Sequence, residues 1–201
     1  MAINLQKGQK ISLEKNSAEG LGEILINLNW NARPVQQGFF SGLLGQNKGI
    51  DLDLECLFEL KNGHKGAVQA LGNDFGSFNQ PPYISLDGDD RTGAVTTGEN
   101  LRINGNRIAE IKRILVFTFI YDGIVNWRQA DAIVTIKYPG AEDIVVKMDS
   151  FNSSNSTCGL ALLENLNDQT FSVEKIVRFY KGHRELDSAF NWGLKWIYRR
   201  K

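Results

Sequence analysis

The strongest constraint on the fold is the alternation that begins at Asp51. Leu52, Leu54, Cys56, Phe58 and Leu60 fall on one face of a period-2 chain, and Asp51, Asp53, Glu55 and Glu59 on the other. Successive side chains of a β-strand point to opposite faces, so residues 52–60 predict a strand with one apolar and one acidic side. Carboxylates two positions apart on that side lie about 7 Å from one another. They serve either as a solvated face or as oxygen ligands near the strand's start, where loops can close over a cation.

A second acidic cluster favours the ligand reading. Asp87-Gly88-Asp89-Asp90-Arg91-Thr92-Gly93 forms a tight turn, followed by Gly98-Glu99-Asn100. The two clusters flank a stretch rich in Gly, Asn, Ser and Pro. Ca²⁺ takes six to eight hard oxygen ligands from carboxylates, amides and backbone carbonyls carried by such loops. Neighbouring carboxylates also repel unless a cation neutralises them. Residues 51–100 therefore predict a calcium-binding edge on a β-rich domain.

The rest of the chain supplies the strands. Residues 9–13 alternate weakly, as an edge strand would. Ile24, Ile26, Leu28 and Trp30 share a buried face opposite Glu23, Asn27 and Asn29. Residues 31–48 form a loop whose Phe39-Phe40 and Leu43-Leu44 pairs either pack on the sheet or make a partner-binding tip. Lys61-Asn62-Gly63-His64 marks a hairpin turn into a short strand at residues 67–71. Residues 72–83 are loop, 101–103 a strand, and Asn104-Gly105 a turn. Residues 114–121 are apolar on both faces, which marks a central strand.

Hairpins follow at 132–138 with 144–149, around Pro139-Gly140, and at 158–165 with 170–180, around Asn167-Asp168. Residues 128–131 allow one turn of helix, and no segment of helical length shows strong 3.6-residue periodicity. At the end, Phe190, Trp192, Leu194, Trp196 and Tyr198 alternate as a last docked strand, with the tryptophans in core or at an interface. Many short strands separated by turns predict an all-β fold, a β-sandwich of two mainly antiparallel sheets with long calcium-binding loops. No composition break divides residues 1–201, which reads as a single domain with an extended C-terminal segment from about 179 to 201.

Several function classes are excluded. Lys plus Arg equals Asp plus Glu at 23 each, so no nucleic-acid partner is expected from net charge. The longest apolar run, residues 114–121, is too short for a transmembrane segment. Residues 1–7 lack a basic start followed by an apolar run, so the expectation is a cytoplasmic protein without a signal peptide. Counting an EF-hand from Asp87 puts Thr92 where Gly is needed and Gly98 where Glu is needed. No Walker A loop and no H-E-x-x-H spacing occurs. The two histidines, His64 and His183, read as surface residues in a turn and a charged loop. Cys56 and Cys158 lie in apolar stretches as buried thiols.

These motifs, taken together and in order, resemble a known family. Asn4-Leu5-Gln6-Lys7-Gly8-Gln9, Leu28-Asn29-Trp30-Asn31, Asp51-Leu52-Asp53 and Gly88-Asp89-Asp90-Arg91-Thr92-Gly93 look like the TerD family of tellurium-resistance proteins. The likeness runs from about Ile3 to Val177. The insertion at residues 35–48 and the Trp-rich tail at 179–201 look most like its TerA branch.

The resemblance implies a calcium-binding β-sandwich. It implies Asp51, Asp53, Asp89, Asp90 and Glu99 as side-chain ligands, with Asn73 and Asp74 as further candidates. Arg91 would contribute its carbonyl, Thr92 or Gly93 another, and Asp122 could close the shell. The sequence departs from the family at Asp90, where Asn is usual, and at 94–99, where a more acidic run is usual. The second departure implies a weaker site.

The expected function is a cytoplasmic calcium-binding interaction module of a bacterial tellurite-resistance and stress-response system. Its partners would be other proteins of that system, with the inner membrane surface as one location. No enzymatic activity is expected. The alternative is a metal-assisted hydrolase using the same acidic cluster, for which no positioned nucleophile stands out. Handling of tellurium oxyanions by thiols is a third option.

Overall fold

A computed structural model of the chain describes residues 2–13, 20–30, 50–88, 98–122, 125–148 and 154–197. Asp89, Asp90, Arg91, Thr92 and Gly93, and the whole loop expected at 31–48, lie outside the described residues. So does Tyr198.

Among the described residues thirteen strands occur in this order: β1 (Ile3–Asn4), β2 (Lys10–Ser12), β3 (Glu23–Asn29), β4 (Asp51–Leu60), β5 (Lys65–Val68), β6 (Gly76–Ser77), β7 (Ile84–Leu86), β8 (Glu99–Asn104), β9 (Ile111–Asp122), β10 (Ile133–Lys137), β11 (Ile144–Lys147), β12 (Thr157–Leu166) and β13 (Thr170–Tyr180). Two short helices join them, α1 (Trp127–Ala130) and α2 (His183–Ala189). One sheet has the order β1-β11-β10-β3-β8-β7-β6, and the other β2-β13-β12-β9-β4-β5. The ladders are antiparallel apart from β1 with β11, which is parallel. The expected sandwich is therefore present.

The alternating segments explain the layering. Ile24, Ile26 and Leu28 of β3 meet Leu52, Leu54, Cys56 and Phe58 of β4 and Ile114 and Val116 of β9 between the sheets. Each such aliphatic side chain contributes about 1.5–3 kcal/mol when fully buried. As its two apolar faces require, β9 is an interior strand of its sheet, between β12 and β4. Both cysteines are buried and free.

A second, smaller cluster lies on the outward face of the β4–β9–β12–β13 sheet. Leu57, Leu115 and Phe117 are covered there by Leu186 and Trp192, with Phe190, Leu194 and Trp196 packed at the margin. The C-terminal segment thus roofs the sheet as a partial third layer.

This corrects two expectations. The tail is not a strand, and residues 183–189 are helical. Asn191 (φ 53) and Gly193 (φ 79) take left-handed backbone, which breaks any extended run. The segment's polar groups turn inward to Asp187 instead of pairing with a strand. Its carboxylate accepts from the Gly193 N–H at 2.8 Å, the Leu194 N–H at 3.0 Å and Trp196 Nε1 at 3.0 Å. Trp192 is core, 2% exposed, and its Nε1 donates to the Phe58 carbonyl at 3.0 Å.

Smaller differences are local. The strand expected at 67–71 runs instead over Lys65–Val68, because its register with β4 is set by the tight Asn62-Gly63 turn. The turn expected at Asn104-Gly105 opens a 3₁₀ helix over Gly105–Glu110.

Candidate metal centre

All ten residues of β4 are buried, the acidic ones included. The face expected to be solvated or ligating is therefore covered, and each carboxylate on it must be compensated. At the far end Glu59 is held by three cations. Lys112 Nζ lies 2.7 Å from Oε1, Arg113 Nε 2.6 Å from Oε2, and Lys65 Nζ 3.8 Å from Oε2. Burial alone would push the Glu59 carboxyl up, but the hydrogen bonds from Lys112 and Arg113 outweigh it and hold it below the usual carboxylate range. Arg113 in turn stacks on Trp192, 3.9 Å from its ring centre.

In the middle of the strand, Glu55 is fully buried and its Oε2 lies 2.6 Å from His183 Nε2. His183 is no surface residue. Its ring sits 4.9 Å from Phe119 and 5.0 Å from Trp196, and its side chain is 14% exposed. Alternation already marks Glu55 as facing outward. Nothing local in the sequence marks its partner, which lies 128 positions away.

At the near end stand the expected ligands. Asp53 is 0% and Asp51 7% exposed. Asp51 lies opposite Asp122, an exposed residue at the end of β9, across a bulge between Asp51 and Leu52. Glu99, 3% exposed, comes from the other sheet and accepts the Leu54 N–H through Oε2 at 2.6 Å. Its carboxylate thus reaches the free edge of β4, ahead of the point where β5 begins to pair.

The backbone forces this approach. Gly98 has φ +66, and a Cβ there would lie 2.0 Å from the Leu28 carbonyl oxygen, so only glycine lets the chain press against β3. Asn27 Nδ2 then donates to Asn100 Oδ1 at 2.9 Å. Trp30 Nε1 donates to the Ile50 carbonyl at 3.0 Å, which ties the start of β4 to the end of β3.

Asn73 and Asp74 are exposed residues following β5, Asn73 with a left-handed φ of 57. The Gln69 N–H donates to the Asp74 carbonyl at 2.9 Å. Since β5 runs antiparallel to β4, the chain there heads toward the start of β4. Asp87, which opens the acidic turn, is committed elsewhere, its two oxygens each 2.6 Å from the Arg102 guanidinium.

The structure thus brings Asp51, Asp53, Asp122 and Glu99 to one end of the sandwich. Each is engaged in a polar or electrostatic interaction. Among the described residues no group of three or more His, Cys, Asp or Glu side chains is placed to hold a metal ion. The donor type, buried carboxylate oxygen, suits a hard cation. A complete shell would need further oxygens beyond the described set.

The chain is thus a two-sheet, mainly antiparallel β-sandwich with acidic residues of both sheets near the start of β4. The chain belongs to the TerD domain family, whose model matches residues 1–136. It is 41% identical over 186 residues to the tellurium resistance protein TerA of Alcaligenes sp, covering 92% of this chain and 54% of that protein. It is 32% identical over 140 residues to the tellurium resistance protein TerX of Serratia marcescens, covering 61% and 64%. A 64-residue stretch is 45% identical to the stress response protein SCP2 of Bacillus subtilis (strain 168), covering 31% of each. The chain therefore spans less than two thirds of each of these relatives.

The fold is shared with the crystal structure of a homologue of the telluride resistance protein TerD from Streptomyces coelicolor A3(2). The TM-score is 0.60 at 16% identity, with 84% of this chain and 96% of that one covered. The family resemblance read from the motifs therefore holds. No helix among the described residues is long and apolar enough to cross a membrane.

Proposed function

We propose that this chain is a calcium-binding interaction module of a tellurium-resistance and stress-response system, acting in the cytoplasm through protein partners and not as an enzyme. The observation that carries the reading is the burial of Asp51 and Asp53 at the start of β4 and of Glu99, which reaches the Leu54 N–H from the other sheet. Asp122 borders them on β9, and Asp89 and Asp90, with carbonyls of Arg91 and Gly93, would supply the remaining oxygens. Calcium at this end would neutralise the clustered charge and link the two sheets to the loop between them.

Support for a binding role over thiol chemistry comes from the cysteines. Burial pushes the Cys56 thiol far above its ordinary value, so it stays protonated, and Cys158 is equally buried. Support for the system comes from the names of the relatives.

An ion that binds the folded state alone stabilises it by about 2.7 kcal/mol at a hundredfold excess over Kd. For a domain of this size that is roughly 5–10 °C in Tm. Thermal unfolding in millimolar calcium and in chelator should differ by such a shift, and Asp51→Asn should remove it. An unshifted Tm in the unmodified protein rejects the calcium reading. Affinity capture of partners with and without calcium then tests the interaction role.

A further inference from the structure

A cleft of about 650 Å³ opens where α2 and the tail meet the outward face of β9. This is the size of a small-molecule site. It lies beside the Glu55–His183 pair; Phe119 on its wall stands opposite Asp53 in the β4–β9 ladder, but Asp51, Asp53, Glu99 and Asp122 do not line it. Its walls are aromatic: Phe119, Tyr121 and Trp196 all line it. Four large apolar side chains are exposed among the described residues, and two of them, Tyr121 at 40% and Ile197 at 67%, are in this cleft. Exposed apolar groups gathered in a concavity mark a binding surface more than chance scatter does.

The polar groups of the cleft give the sign of the ligand. Lys181 and Arg184 both line it, and among the described residues neither forms an ion pair with a carboxylate. Arg184 Nη2 donates to the Trp196 carbonyl at 3.1 Å, which holds the guanidinium at the tryptophan while leaving the rest of its fork available. The carboxylate there, Glu185, is turned back to accept the Lys181 backbone N–H at 2.6 Å through Oε2. Glu55 is matched by His183. Among the lining residues the two cations Lys181 and Arg184 outnumber the one carboxylate, Glu185.

A buried acceptor adds detail. Gln69 is 6% exposed, and its Nε2 donates to the Leu71 carbonyl at 3.0 Å, which orients the amide. Its Oε1 has no hydrogen-bond partner. A ring carrying an N–H or O–H suits such a site.

We propose that this cleft binds a small planar aromatic anion, its rings between Phe119, Tyr121 and Trp196 and its anionic group at Lys181 and Arg184. The inference does not rest on the calcium reading. Two probes with the same anilinonaphthalene body test it: 1-anilinonaphthalene-8-sulfonate, which is anionic, and N-phenyl-1-naphthylamine, which is neutral. Both are titrated by fluorescence into the folded protein, in calcium and in chelator.

The sulfonate is expected to bind one-to-one, at least tenfold tighter than the neutral amine, with similar affinity in both buffers. Replacing Lys181 and Arg184 together by Glu should weaken the sulfonate at least tenfold and leave the amine within twofold. Ile197→Asp, an exposed position, should weaken both. Equal affinity of the unmodified protein for the two probes overturns the proposal. So does failure of the sulfonate to bind, or sulfonate affinity unchanged by the double charge reversal. The comparison on the unmodified protein decides the matter even where a variant folds poorly.

Discussion

The two ends of β4 present the same chemistry and solve it differently. Glu59 and Asp51 occupy the same strand and the same outward register, and both are buried. At the Glu59 end the structure surrounds the charge with Lys112, Arg113 and Lys65, then seals it under Trp192. At the Asp51 end it adds more carboxylate, from Asp53, Glu99 and Asp122. A buried negative charge given its own cations is a structural element. The carboxylates at the other end are the ones that the proposed calcium would neutralise. On the proposed reading, the contrast within one strand separates framework from site.

The comparison can be broken most forcefully at its roof. Trp192→Ala removes a buried aromatic side chain, the Phe58 carbonyl's donor and the plane under Arg113. It should destabilise the protein by about 3–5 kcal/mol in chemical denaturation. The calcium-dependent part of the stability should survive, provided the variant is still folded at the temperature used.

A smaller effect is expected at the charge itself. Glu59→Gln should cost about 2 kcal/mol, less than a fully buried pair because Lys112 and Lys65 are partly solvated. The pH dependence follows from the sign of the shift. The Glu59 carboxyl titrates lower in the folded protein than its ordinary value of 4.5, so its contribution is complete above that pH. It is lost as pH falls through the depressed folded value. Urea midpoints measured from pH 6 downward should therefore drop in the unmodified protein more than in Glu59→Gln.

The smallest effect sharpens the other end. Asp53→Asn should change stability by less than about 1 kcal/mol in chelator, since an amide replaces a carboxylate of the same shape. In calcium it should lose the stabilisation that the unmodified protein gains. If Asp53→Asn and Glu59→Gln respond alike to calcium, the two ends are not functionally distinct.

Much of the sandwich is legible in the order of residues alone. The alternation of β3 and β4, the doubly apolar β9 and the Pro139-Gly140 and Asn167-Asp168 turns each report local geometry. The sheets follow from them. Alternation, however, says only that a strand has two faces. It cannot say what covers the second, and here the cover is α2 and the tail, which begin 123 positions after the last residue of β4.

That is why Glu55 and Glu59 read as a polar surface, and why His183 reads as exposed. The tail misleads for the opposite reason. Phe190, Trp192, Leu194 and Trp196 alternate like a strand, but three donors of this segment are taken by the Asp187 side chain instead of a sheet edge. The expected ligand set rests on residue types alone. Of its members, Asp51, Asp53, Asn73, Asp74, Glu99 and Asp122 fall among the described residues.

Gly98 carries a consequence for how such a site can change over time. The contact between its backbone and the Leu28 carbonyl indexes Glu99 to the framework, so that carboxylate keeps its place against Leu54 whatever precedes it. If Glu99 is a calcium ligand, as proposed, its anchoring on Leu54 would hold that carboxylate in place while other ligands changed. A glycine with no chemistry of its own would then fix one part of the proposed site to the framework.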